Sequence, residues 1–201
     1  MSRFQSNRRS EKDQPIYDDE NEDNGSPGTL DNAVATGENQ KDASFSKDYV
    51  NVPSRPYLMK ILSKQGDSKV LFADKVLKFT GSGKMKKRIL LITDFAIYIV
   101  DPNTDALKRR IALAAVEKLN VSELGDNFFA IIIPTEYDIL MASTRKAEIV
   151  KALVEANKSA SNYELDVVRS NRFEYHAAAD LVKEVQFEEV EGGVKTRIVR
   201  K

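Results

Sequence analysis

Residues 70–93 have the sequence VLFADKVLKFTGSGKMKKRILLIT, in which two apolar runs flank a Gly-Ser-Gly segment. Apolar runs interrupted by such a turn signal predict two antiparallel β-strands joined by a hairpin. The run ILLI at 89–92 belongs in a core, so the turn before it must stay at the protein surface.

The same hairpin carries positive charge and no negative charge. Six basic residues and no acidic residue lie between positions 75 and 88, namely Lys75, Lys78, Lys84, Lys86, Lys87 and Arg88. Ammonium and guanidinium groups at a surface turn can hold a multiply charged ligand, so we expect an anion site, with a phosphorylated lipid headgroup as the first candidate. The alternative is a solvated hairpin tip whose stray ion pairs contribute little.

Seven short apolar runs separated by turn signals cover about 70–79, 88–93, 95–101, 108–113, 116–123, 127–133 and 136–143. They predict an antiparallel sheet that curls or closes. The pattern then becomes helical: Ser143 or Thr144 can cap a helix with an apolar stripe at Ile149, Val150, Leu153 and Val154. The expected fold is mainly β (α+β), a pleckstrin-homology-like seven-stranded antiparallel barrel capped by one C-terminal helix.

Elements are also predicted on both sides of this core. Pro56 suits the first turn of a short helix that stops at Gly66. Near the C-terminus, four runs at 163–168, 172–175, 182–187 and 194–199 predict strands, with Gly192-Gly193 as a turn between the last two.

Charge divides the chain into two parts. Residues 1–47 carry 6 Lys or Arg against 10 Asp or Glu, a net −4, whereas residues 48–201 carry 25 against 21, a net +4. The first part has few large apolar side chains, so it predicts a disordered acidic tail. The rest predicts one domain, with the core at about 70–158 and a strand extension at about 159–201. Its charge is too small to favour nucleic-acid binding.

Several classes of chemistry lack support. The chain has no cysteine and a single histidine, His176, so we expect neither a metal site nor a cofactor. No nucleophile motif of the Gly-x-Ser-x-Gly type occurs, which argues against an enzyme. Lys108-Arg109-Arg110 favours a solvated strand, because alternation puts Arg109 on the opposite face from its neighbours. With neither a long apolar run nor a lipidation motif, the protein is expected to be cytoplasmic and peripheral at the plasma membrane or endomembranes.

Several motifs, in order, resemble the tail homology 1 domain of class I myosins. They are VLFADKVLKF at 70–79, KKRILLITD at 86–94, KRRI at 108–111, VSELGDNFF at 121–129, TRKAEIV at 144–150 and FEY at 173–175. The resemblance implies a pleckstrin-homology-like core that docks onto acidic membranes, often through phosphoinositides. It also implies a headgroup pincer made by Lys78 and Arg88, near which backbone N–H groups of the Gly81-Ser82-Gly83 turn approach the ligand.

The sequence therefore predicts a non-enzymatic module that binds anionic phospholipids at a membrane surface. Lys78 and Arg88 would be central, and Lys75, Lys84, Lys86 and Lys87 would assist. The alternative is a protein-interaction adaptor linked to myosin or the actin cytoskeleton, in which the same cations meet an acidic peptide.

Overall fold

The computed structural model describes residues 47–161 and 163–201; the predicted acidic tail, apart from Lys47, lies outside the described residues. Two α-helices and eleven strands are present in these described ranges. They are α1 Pro56–Gln65, β1 Val70–Phe79, β2 Met85–Thr93, β3 Ala96–Val100, β4 Leu107–Ala112, β5 Lys118–Val121, β6 Phe128–Ile132, β7 Ile139–Ala142, α2 Lys146–Ala160, β8 Asp166–Arg169, β9 Arg172–Ala178, β10 Leu181–Val190 and β11 Gly193–Arg200.

The main sheet has eight strands in the order β4-β3-β2-β1-β7-β6-β5-β8. The mainly β, pleckstrin-homology-like class is confirmed, with seven antiparallel strands followed by α2. The prediction of a barrel was wrong in one respect, because β4 and β5 do not pair and the sheet is not closed. The eighth strand, β8, comes from the C-terminal extension and pairs in parallel with β5.

The opening lies where the chain makes a short 3₁₀ turn, Leu113–Ala115, between β4 and β5. There the buried Asn157 of α2 donates its side-chain N–H to the Leu113 carbonyl oxygen at 3.1 Å. Because α2 satisfies this backbone group, the sheet can remain open here without leaving a buried acceptor unpaired.

Apolar side chains fill three clusters on the two faces of the main sheet. The inner face, with Phe72, Leu90 and Phe129, packs against α2 in the largest cluster. On the outer face, α1 and the segment before it pack over one part of β1, β2 and β3. Another part of the outer face, over β6 and β7, is covered by the three-stranded sheet β9-β10-β11.

Local signals predicted most helix ends. Pro56 occupies the first turn of α1, and Gly66 ends it with a left-handed φ of 76°. The α2 cap differs from the prediction, since the N-cap residue is Arg145. Ser143 still supports the helix start: its hydroxyl oxygen accepts from the Arg145 N–H at 3.0 Å, and its carbonyl accepts from the Lys146 N–H at 3.1 Å.

Candidate anion-binding site

The turn between β1 and β2 is held by its own polar groups. The Thr80 N–H donates to the Lys84 carbonyl and the Gly83 N–H to the Thr80 carbonyl, both at 2.9 Å. The Lys84 N–H also donates to the Thr80 hydroxyl at 3.1 Å. Gly83 has a φ of 84°, which only glycine adopts at little cost. Of the predicted donors Gly81, Ser82 and Gly83, the Gly83 N–H is thus already engaged within the turn.

The strand register divides the six cations between two faces. Lys78 lies directly opposite Lys86, and Arg88 lies opposite Val76 on the same face. Val76 belongs to the inner cluster, so this trio, Lys78, Lys86 and Arg88, extends the inner face beyond its apolar core. Lys75 and Lys87 alternate onto the outer face, and Lys84 is exposed in the turn. The six therefore do not form a single patch.

Lys78 is at the centre of the inner group. Partial burial lowers the pKa of Lys78, and the positive charges of Arg109, Arg88 and Lys86 lower it further. No carboxylate pairs with Lys78 or Lys86 within the described residues. A half-buried ammonium among three other cations is electrostatically unfavourable, and a polyanion placed between them would relieve that repulsion.

Arg88 differs from Lys78 because it already has an acidic partner. Its Nη1 lies 3.2 Å from Oδ2 of Asp101, which follows β3, and both side chains are mostly buried. Lys108 approaches the same carboxylate at 4.0 Å. Arg88 also donates to the Lys87 carbonyl at 2.7 Å, so its guanidinium is held in a defined place.

In the structure, Arg109 and Tyr137 also belong to this site. The sequence did not predict either residue as a ligand contact. Arg109 lies 3.9 Å above the Tyr137 ring, and the Lys78 ammonium lies 5.8 Å from the same ring. The Arg109 Nη2 donates to Glu136 and to the Tyr137 carbonyl, each at 2.7 Å. Its buried Nη1 has no hydrogen-bond partner among the described residues. The alternation of side chains along a strand could have indicated Arg109, because it places Arg109 on the same face as the buried Ile111.

We call Lys78, Lys86, Arg88, Arg109 and Tyr137 the inner cation cluster. Four of its members are positive, and two carboxylates, Asp101 and Glu136, oppose them. The balance is a net charge of +2 beside an exposed aromatic ring. Such a group can bind a phosphate-bearing ligand through charge-assisted hydrogen bonds.

The C-terminal extension reaches the hairpin turn with a cation. The Lys183 Nζ lies 3.7 Å from the position that a Cβ would occupy on Gly83, and the Ala177 carbonyl lies 3.4 Å from that of Gly81. Two acidic residues of this sheet have partners of their own: Glu184 pairs with Arg172 at 2.8 Å, and Glu174 pairs with Lys201. The extension therefore supplies positive charge next to the turn.

Two other residues considered from the sequence, Arg110 and His176, lie outside the inner cation cluster. As alternation predicted, Arg110 is on the other face from Arg109, where its Nη2 lies 3.5 Å from buried Asp67. His176 is exposed, with its Nδ1 3.5 Å from Asp138. In the described part of the chain, no three carboxylate or imidazole side chains gather as a metal site would require.

Fold and site together define a pleckstrin-homology-like module with a cation-lined hairpin. A family model described as "unconventional myosin tail, actin- and lipid-binding" matches residues 39–200. The chain belongs to this family of myosin tails.

Individual relatives agree with this assignment. The chain is 29% identical over 160 residues to Myosin IB heavy chain of Dictyostelium discoideum, covering 76% of this chain and 14% of that protein. It is 33% identical over 132 residues to Myosin IC heavy chain of Acanthamoeba castellanii, covering 57% and 11%. The chain thus spans only a small part of the length of these relatives.

Among solved structures, the chain is similar to the hSac2 domain from human phosphoinositide phosphatase Sac2, at 14% identity and a TM-score of 0.45. That match covers 62% of this chain and 92% of the other. Within the described residues, no helix combines the length and the apolar character needed to cross a bilayer.

Proposed function

We propose that this chain is a non-catalytic, peripheral membrane module that recognises anionic phospholipids, phosphoinositides in particular, through the inner cation cluster. Residues 48–201 would act as the binding domain, and the acidic residues 1–47 as a tail. The module would work in the cytoplasm, at the plasma membrane or endomembranes. The main support is Lys78, a half-buried cation that has three cationic neighbours and, in the part of the chain that the structure describes, no carboxylate partner.

The geometry supports a ligand with several phosphates. Lys78 and Lys86 face each other across the strands, and Arg88, two residues beyond Lys86 on β2, is the diagonal neighbour of Lys78 on the same face. Arg109 adds a buried Nη1 for which the described residues provide no acceptor. A headgroup with adjacent phosphates can contact several of these cations at once, whereas a single carboxylate cannot.

The charges of this site favour reversible binding. Lys84 and Lys183 add two cations beside the hairpin turn, where a membrane surface would approach. Each basic residue near an anionic surface contributes about 1 kcal/mol. Such an attachment should weaken strongly as salt screens these charges.

The test is vesicle co-sedimentation of the Lys78→Ala, Lys86→Ala double variant. Among the described residues these two lysines form no ion pair, so their removal leaves no buried carboxylate unpaired. Removing Arg88 would instead leave Asp101 with only its 4.0 Å contact to Lys108. We expect vesicles of phosphatidylcholine with phosphatidylinositol bisphosphate to bind the variant about thirty-fold more weakly at low salt. The matched control is Lys64→Ala, Lys69→Ala, which removes one exposed lysine in the last turn of α1 and another directly before β1. A folded double variant that binds as tightly as this control would rule out the site.

An adaptor that binds the actin cytoskeleton is the second candidate, and the family description supports it because it names actin as well as lipid. In that case the inner cation cluster would meet an acidic protein surface. Co-sedimentation with filamentous actin in the absence of lipid separates the two functions. Actin binding that depends on Lys78 and Lys86, without any vesicle binding, would favour the adaptor.

A further inference from the structure

The outer face of the β1–β2 hairpin carries a second group of cations. Lys75 and Lys87 are both exposed there, and neither forms an ion pair within the described residues. Together with Arg145, which precedes α2, they line an open cleft of about 400 Å³ between β1 and the start of α2. The side chains of Lys75 and Lys87 lie on the opposite face of the hairpin from those of Lys78 and Lys86.

The cleft lies on a strip of sheet that the other elements leave uncovered. Near the start of β1, Ala73 packs in the α1 cluster, and at its end Phe79 packs against the three-stranded sheet. Leu77, between them, is 36% exposed and lines the cleft. Met85, at the start of β2 and on the same face, is 62% exposed.

Charge and hydrogen-bonding groups in the cleft suit an anion. The single carboxylate of its lining, Asp74, already has Arg145 at 3.5 Å, so Lys75 and Lys87 leave a surplus of two positive charges. Ser143 lines the same cleft, and its hydroxyl accepts from the Arg145 N–H. No acceptor for the hydroxyl proton occurs among the described residues, so it can donate to a ligand.

We propose that this outer cleft binds a second anionic lipid headgroup through Lys75, Lys87 and Arg145, while Leu77 and Met85 enter the lipid interface beside it. The exposed apolar side chains select a membrane as the source of the anion, because a free phosphate compound would leave them in water. One hairpin would thus hold two headgroups, one on each face. This extends the proposed function to a second site but does not depend on the residues of the first.

The two sites can be separated with matched variants. The outer variant, which removes the outer lysines, is Lys75→Gln, Lys87→Gln. The inner variant, which removes the inner lysines, is Lys78→Gln, Lys86→Gln. The charge-matched control is Lys64→Gln, Lys69→Gln. On vesicles of phosphatidylcholine with phosphatidylinositol bisphosphate at low salt, we expect the outer variant to bind about ten- to thirty-fold more weakly than the control. Binding equal to that of the control overturns the proposal.

Amide NMR spectra titrated with soluble inositol trisphosphate locate each site. We expect shifts at Ser143–Arg145 that persist in the inner variant and disappear in the outer one. Loss of these shifts in the inner variant would mean a single shared site and would overturn the second one. A different outcome would reject the inner site and retain the outer one. In that outcome, inositol trisphosphate shifts the amide signals of Ser143–Arg145 in the wild type but not those of Arg109 and Tyr137.

Met85→Ser tests the choice of a membrane as the ligand source. It should weaken vesicle binding several-fold and leave binding of inositol trisphosphate unchanged, because only a bilayer offers an apolar interface. If Met85→Ser leaves vesicle binding at the wild-type level, Met85 does not enter the lipid interface and that part of the proposal is wrong.

Discussion

Lys78 and Lys86 lie directly opposite each other across the β1–β2 ladder, on the face that continues the protein core. Like charges in this relationship destabilise an antiparallel pair. Desolvation and the charges of Arg109 and Arg88 add to the cost at Lys78. This arrangement is unfavourable for the free protein and favourable once a polyanion lies between the two ammonium groups.

Lys78→Met should therefore stabilise the protein while weakening its membrane binding. The substitution keeps the length of the side chain and removes the repelled charge, and we expect the free energy of unfolding in urea to rise by about 0.5–1 kcal/mol. Lys87→Met is the matched control because Lys87 faces Leu77, which carries no charge. An equal gain in both variants would contradict repulsion as the cause.

The lowered pKa of Lys78 predicts a pH dependence of stability. The folded protein releases this proton at a lower pH than the unfolded chain, whose lysine titrates near 10.5. Between these two values the unfolded state binds more protons, so the contribution of Lys78 to stability rises with pH in the alkaline range below 10.5. Side-chain NMR titration of Lys78 in the folded and in the urea-unfolded protein measures the shift. Adding inositol trisphosphate should raise the pKa of Lys78. An unchanged pKa would mean that Lys78 does not contact the ligand.

Glu136→Gln should strengthen headgroup binding. Glu136 accepts from the Nε and Nη2 of Arg109 and places a negative charge beside the inner cation cluster. Removing one such charge should raise vesicle affinity about five-fold at low salt. Glu155→Gln, on the exposed side of α2, is the control for the change in net charge. Equal effects of both variants would mean that Glu136 acts only through the overall field.

Asp67→Ala should destabilise the fold without changing lipid recognition. Buried Asp67 accepts hydrogen bonds from the hydroxyls of Tyr98 and Thr93 and pairs with Arg110. Burial and the hydrogen bond to Asp67 raise the pKa of Tyr98 to about 12. Losing this acceptor should cost about 2–4 kcal/mol in urea unfolding. Asp166→Ala, at an exposed strand position, should cost far less, and the folded Asp67→Ala protein should bind vesicles as the wild type does.

Local sequence signals predicted the elements well because they depend on neighbouring residues. The apolar run and turn at 70–93 predicted the hairpin, and Pro56 and Gly66 marked the ends of α1. The extension was also predicted as strands, with Gly192 in the turn that precedes β11.

Long-range pairing was beyond such signals. The parallel pairing of β8 with β5 and the gap between β4 and β5 depend on which distant segments share a sheet. Asn157, which satisfies Leu113 at that gap, lies 44 positions away along the chain. Arg109 and Tyr137 could not be predicted as site residues for the same reason. Arg109 stacks on the Tyr137 ring beside Lys78 only because β4 lies next to the segment before β7 in the fold.

By itself, the sequence determined the strands, the helices and the concentration of positive charge in one hairpin, because composition and periodicity act over a few residues. Only the tertiary structure decided how that charge is divided. The pleat sends Lys78 and Lys86 to one face and Lys75 and Lys87 to the other, and the packing of β4, α2 and the extension adds Arg109, Arg145 and Lys183 beside them. Side-chain alternation is local, but the neighbours that each face meets depend on the whole fold.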